Sequence, residues 1–200
     1  MKHKKLIKVG IVPTIREIYK NQFEWCFDFR IILLLDKIFT KINFTLLNKD
    51  SSLNKIDLII FCGGNTLRIY SKKKSDKIRH DLDFMILKKS IQQKKSILGI
   101  CHGMQMIAKF FGSKLTKKKH VGNHKIILTN NKKIVNVNSY HNFILKSLPK
   151  KLEILAKAED GSCEAFTNKK NKILGIMWHP ERFKKIRSFD VNFIKKYLCN

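Results

Sequence analysis

The run Ser96–Ile100 (SILGI) is apolar and leads without a break into Gly99-Ile100-Cys101-His102-Gly103; behind it, Met104 to Phe111 carry apolar residues at helical spacing. A short continuous apolar run reads as a strand buried on both faces, and such strands belong to parallel sheets covered by helices. A strand that turns at once into a helix, with glycines on either side of the turn, commits this part of the chain to an α/β layer. Gly112 closes the helix.

The rest of the first half repeats the alternation. Leu6–Val12 reads as a first strand, stopped by Pro13, and the stretch from Glu24 to Thr40 has helical apolar spacing. Lys41–Leu47 and Lys55–Phe61 read as strands, the latter ended by Gly63-Gly64-Asn65, and Asp76 to Gln93 reads as a helix with a charged outer face. The second half changes texture: HKIILT, KIVNVNS, LEILAKAED, SCEAFTN and KILGIMW are strand-like pieces joined by turn residues, followed by a helical pattern from Phe189 to Leu198. The expectation is an α/β fold in three layers, with a mostly parallel central sheet flanked by helices and a small antiparallel portion appended. At 200 residues, with neither repeat nor low-complexity linker, residues 1–200 read as one domain.

Charge narrows the classes of function. The formal net charge is +27, yet the lysines are scattered in ones, twos and threes over the whole length, and few of the basic residues are Arg. Readers of phosphate and bases use Arg forks among aromatics, so the sequence argues against a nucleic-acid partner; a small anionic substrate steered by the general field fits better. Apolar runs stay well short of a membrane span, and the basic N-terminus lacks the apolar core of a signal peptide. Five cysteines (Cys26, Cys62, Cys101, Cys163 and Cys199) form no C-x-x-C pair. This suits a reducing, cytoplasmic setting and no disulfide framework.

Cys101 stands apart from the other four. A residue between a strand end and a helix start, flanked by glycines, is presented out of the backbone path, as the nucleophile of an elbow is. The helix N-terminus favours a thiolate and points free N–H groups at whatever it attacks. His179, just past the apolar strand of KILGIMWHPE, is the candidate base; Pro180 fixes the turn, and Glu181 is placed to hold the imidazole. Gly63 and Gly64 let a backbone N–H approach a ligand, and with the N–H of His102 they could form an oxyanion hole. Arg68 and Arg182 flank the proposed site in sequence and are candidates for a phosphate or carboxylate. His120 and His124 have the spacing of a metal pair, but with no third ligand in view the sequence assigns no metal.

Four pieces in this order, GICHGMQMIA, VNSYHN, AEDGSCEAF and GIMWHPE, resemble the class I glutamine amidotransferase domain; within it, the segment His120…His124 and the phrase from Ala158 to Ala165 resemble the γ-glutamyl hydrolase-like branch (peptidase family C26). The resemblance runs from the first strand to Glu181. It implies a flavodoxin-like fold and a Cys101–His179–Glu181 triad that needs no cofactor. Cys101 would attack the γ-carbonyl of a glutamyl group to give a thioester, with Gly64 and His102 as oxyanion donors and Gln105, Ser139, Tyr140 and His141 against the glutamyl moiety. His102 stands where many members of the branch carry Arg. In its short length, the Gly63–Asn65 loop and VNSYHNF the chain resembles members of that branch that act on γ-glutamyl-CDP-amidate, and this resemblance implies a step in making the phosphoramidate group of bacterial capsules. The alternatives are a γ-glutamyl-γ-aminobutyrate hydrolase, a glutaminase subunit serving a separate synthase, and a non-enzymatic protein on the same fold, against which the intact Cys101, His179 and Glu181 argue.

Overall fold

The computed structural model describes residues 6–199. Strand β1 (Ile7–Val12) is followed by a hairpin of β2 (Thr14–Tyr19) and β3 (Gln22–Cys26), then helix α1 (Arg30–Ile38), β4 (Ile42–Leu46), β5 (Leu58–Phe61), α2 (Lys74–Gln92), β6 (Ser96–Ile100) and α3 (His102–Phe110). The second half supplies β7 (Leu115–Leu128), β8 (Ile134–Leu145), β9 (Glu153–Ala158), β10 (Cys163–Asn168), β11 (Ile173–Ile176) and α4 (Ser188–Leu198). Nine strands make one sheet in the order β4-β1-β5-β6-β11-β10-β8-β7-β9. The five from β4 to β11 are parallel, and β10, β8, β7 and β9 continue the sheet antiparallel.

The parallel strands read as unbroken apolar runs because they are buried on both faces. In β5, Leu58 and Ile60 join one core, with Ile31, Leu34 and Leu35 of α1 and Phe193 and Ile194 of α4. Ile59 and Phe61 join the other, with Leu82, Ile86 and Leu87 of α2 and Met104 and Ile107 of α3. This is the three-layer α/β arrangement expected, with α1 and α4 on one side and α2 and α3 on the other.

One expectation fails. The proposed helix from Glu24 to Thr40 begins instead as the second arm of the β2–β3 hairpin, and α1 starts at Arg30. The hairpin turns at Lys20-Asn21, where Asn21 takes φ 62°, a left-handed conformation that Asn tolerates. Ile15 is buried, and its backbone is held at both N–H and C=O by the Asn65 side chain. Tertiary pairing with the Gly63–Asn65 loop therefore overrides the local helical spacing. The helix after the cysteine also starts earlier than the spacing indicated, at His102.

Because β5, β6 and β11 are parallel neighbours, with Phe61 opposite Gly99 and Ile100 opposite Ile176, their C-terminal ends emerge together. Those ends lead into Gly63-Gly64, Cys101 and His179 respectively, so three chain segments far apart in sequence converge on one edge of the sheet. Helix α3 lies so close to β5 that a Cβ on Gly103 would come within 2.1 Å of the Phe61 carbonyl oxygen, and one on Gly99 within 2.8 Å of the Gly103 carbonyl carbon. Gly103→Ala is expected to lower stability by about 1–3 kcal/mol or more, the usual cost of overpacking, seen as a lower urea midpoint at unchanged slope. An unchanged midpoint would mean that α3 does not need this approach.

Candidate active site

Cys101 is the residue between β6 and α3, and its backbone is at φ 49°, ψ −101°. An L-residue adopts such angles at a cost of order 1–3 kcal/mol and holds them only where neighbours enforce them. Here its N–H donates to the Ile176 carbonyl at 2.8 Å, and its carbonyl accepts from Gln105 N at 3.0 Å. The first-turn N–H groups of α3, beginning with His102, have no partner within the helix.

His179 follows β11 and is buried, with Nδ1 2.6 Å from Glu181 Oε1. Pro180 opens the 3-10 turn Pro180–Arg182 that carries the buried Glu181 back beneath the ring. Burial alone would push the imidazole pKa down. The charges and hydrogen bonds of Cys101 and Glu181 outweigh it and set the pKa at about 9. Gly63 packs against the ring: a Cβ there would meet His179 Cε1 at 2.5 Å. Gly64 beside it is at φ 131°, and Thr14 fixes the loop by donating to the Gly63 carbonyl at 2.7 Å. Burial pushes Cys62 up to about 12 and raises Cys163 and Cys199 above their ordinary value.

The remaining candidates divide. In β8 the pleat sends alternate residues to opposite faces. Tyr140, half exposed, sets its ring edge-on to His179, with centroids 5.4 Å apart, and Arg182 lies 5.2 Å from the Tyr140 ring. Ser139 and His141 point the other way: Ser139 Oγ donates to the His120 carbonyl, and His141 Nδ1 meets the Phe143 carbonyl at 3.0 Å. The segment Ser139–His141 is thus split by the strand period and does not form one surface toward the triad. Gln105 is buried, with its amide donating to the Phe143 carbonyl at 3.1 Å. Arg68 is paired with exposed Asp81 at 3.4 Å. The His102 side chain is buried away from the thiol, 2.8 Å from Asp83, which also accepts from Arg79; Arg79 in turn donates to the carbonyls of Pro13 and Cys62.

Three features escaped the sequence. Asn138 clamps the His179 backbone, accepting from its N–H and donating to its carbonyl at 2.8 Å each. Arg30 of α1 donates to the carbonyls of Glu181 and Phe183 and so fixes the turn from below. A third ligand for the His120 and His124 pair does exist: donor atoms of His120, His124 and Glu164 lie within 4.8 Å of one another. Glu164 is fully buried; burial pushes its pKa up, but His120 and His124 bring it below its ordinary value. Asn138 and Glu164 stand in the quoted motifs, but only the strand register reveals what they face.

The family model for "Glutamine amidotransferase class-I" matches residues 35–196. The chain belongs to this family. Its members are cysteine-dependent amide hydrolases and amidotransferases. The chain is 38% identical over 128 residues to the gamma-glutamyl-CDP-amidate hydrolase of Campylobacter jejuni, covering 64% of this chain and 63% of that protein, less than two thirds of the relative's length. It is 33% identical over 99 residues to anthranilate synthase component 2 of Helicobacter pylori, covering 45% of this chain and 50% of that one. A chain of the PurLQS structure from Thermotoga maritima superposes with a TM-score of 0.69 at 18% identity, covering 98% of each chain, which speaks for the fold.

The raised His179 pKa has a signed consequence for stability. Its folded value, about 9, lies above the ordinary value of 6.5, so the stabilisation that it brings is full below pH 6.5 and is lost as pH rises through about 9. The stability difference between the wild type and His179→Gln, from urea unfolding at pH 5 to 10, is expected to shrink across that window. A difference flat with pH would mean that the ring is neutral throughout.

Proposed function

We propose that this class I glutamine amidotransferase hydrolyses the γ-glutamyl amide bond of an anionic conjugate, and that the conjugate is γ-glutamyl-CDP-amidate. The observation that carries the reading is the Cys101 thiol on a strained elbow, close enough to His179 to perturb its charge, with the imidazole held by Glu181 at 2.6 Å. In the proposed reaction Cys101 forms a C–S bond to the γ-carbonyl carbon as His179 holds the proton. Backbone N–H groups of His102 and Gly64 take the oxyanion. The C–N bond then breaks and His179 protonates the departing nitrogen, releasing CDP-amidate. Water, deprotonated by His179, attacks the thioester and releases glutamate and the Cys101 thiolate. Glu181 keeps the imidazole in the tautomer and orientation that this needs.

The leaving group rests on the Campylobacter relative and on the basic character of the chain, with half-exposed Tyr140 beside His179 and Arg182 beside Tyr140. In this reading the product feeds the phosphoramidate group of a capsule. The unpaired cysteines suit a cytoplasmic reaction. A second reading, favoured by the anthranilate synthase component among the relatives, is a glutaminase that passes ammonia to a separate synthase.

Glutamate release by the purified protein separates the two. γ-Glutamyl-CDP-amidate, glutamine and γ-glutamyl-γ-aminobutyrate would be offered in parallel. Rapid turnover of the first alone is expected, with Cys101→Ala abolishing it and Cys163→Ala leaving it nearly unchanged. Turnover of γ-glutamyl-γ-aminobutyrate alone would move the assignment to that substrate. Silence on all three would favour the synthase-coupled glutaminase, and equal losses in the two variants would contradict Cys101 as nucleophile.

A further inference from the structure

On the face of β8 turned away from His179, three histidines surround one buried carboxylate. His120 Nδ1 lies 3.5 Å and His141 Nε2 3.7 Å from Glu164 Oε1, and His124 Nε2 lies 3.4 Å from Glu164 Oε2. These separations exceed those of good hydrogen bonds, and all five atoms are buried without a hydrogen-bond partner. A fully buried carboxylate left in this condition is costly.

The far sides of two rings fix where their protons are. His120 Nε2 lies 3.1 Å from Asp160 Oδ2, and His141 Nδ1 lies 3.0 Å from the Phe143 carbonyl. A carboxylate and a carbonyl oxygen only accept, so each ring carries its proton on that side. In the neutral rings, His120 Nδ1 and His141 Nε2 then present lone pairs, and both aim them at the same carboxylate oxygen. Two lone pairs and an anion then face one another, an arrangement that a cation relieves.

The spacing suits one. A tetrahedral zinc ion with bonds of about 2.0–2.1 Å keeps its ligand atoms about 3.3 Å apart, close to the contacts observed. The outer contacts are those that ligating histidines make, a carboxylate behind one ring and a backbone carbonyl behind another. Asp160 is itself fixed by Ser162 N and Oγ and by Lys118. A surface pocket of about 290 Å³ over His120, His124 and Asp160 offers an entry path.

We infer that His120, His124 and Glu164, with His141 beside them, form a binding site for a divalent, zinc-class metal ion, separate from Cys101 and His179. The site has three donor atoms, those of His120, His124 and Glu164, within 4.8 Å of one another, enough for three corners of a tetrahedron. It joins β7, β8 and β10 at a place where the sheet is weakly paired, since β8 and β10 share the single registered pair Cys163–Leu145. Tying β8 here also fixes the strand whose other face carries Asn138 and Tyr140 toward His179.

The test is calorimetric titration with zinc alone, after chelator dialysis, of the wild type and of Cys101→Ala, which removes the triad thiol as a competing ligand. Both should take up about one equivalent and gain thermal stability. Cobalt in place of zinc should give the intense visible absorption of a tetrahedral site. In the Cys101→Ala background, His124→Gln and Glu164→Gln should lose the uptake, and Asp160→Asn should weaken it by roughly ten- to a hundred-fold. His124 is partly exposed, so its variant decides the matter if Glu164→Gln fails to fold. No saturable uptake, or equal uptake in Cys101→Ala with and without His124→Gln, would overturn the site and leave a cluster that holds protons only.

Discussion

A methyl group on Gly103 would come within 2.1 Å of the Phe61 carbonyl oxygen, and this close approach of helix to strand sets the geometry of the whole edge. With α3 drawn down onto β5, the chain leaving β6 has no room for an ordinary turn, and Cys101 is forced to φ 49°. The strain is held by backbone bonds on both sides of it, to Ile176 from β11 and to Gln105 within α3. The same parallel pairing that supplies the Ile176 carbonyl delivers His179 two residues past Met177. The positions of Cys101 and His179 are therefore consequences of one strand arrangement.

Buried polar groups then hold the edge from beneath. Glu181 and Asn138 orient His179 through its ring and its backbone. Arg30 ties the Glu181 turn to α1. On the other side of the sheet, Arg79 and Asp83 of α2 reach His102, Pro13 and Cys62, so the helix start and the ends of β1 and β5 share one network. His102 is accounted for by this role: a ring of its size fills the space beside Asp83, and its backbone N–H stays at the helix start.

Much of this was legible in the sequence, for identifiable reasons. Strands buried on both faces, such as Leu58–Phe61 and Ser96–Ile100, announce themselves as continuous apolar runs. The Gly-x-Cys-x-Gly turn and His179-Pro180-Glu181 are local arrangements, and local arrangements survive being read in one dimension. The Thr14–Cys26 hairpin was not legible, because its register depends on Asn65, 50 residues away from Ile15. Strand β7 runs back through the lysines at 117–119, whose exposure hides any alternation. The split of Ser139, Tyr140 and His141 between two faces, and the meeting of Glu164 with three histidines, follow from strand pairing that no spacing in the sequence expresses.

The central claim is that Cys101, and no other thiol, is poised to attack a glutamyl γ-carbonyl. A glutamine-mimicking diazoketone, mixed with the protein and followed by intact mass and peptide mapping, tests it most directly. One label per chain, on Cys101, and its loss in His179→Gln, is the predicted result. A label on Cys62 or Cys199 instead, or equal labelling of several cysteines, would contradict the account.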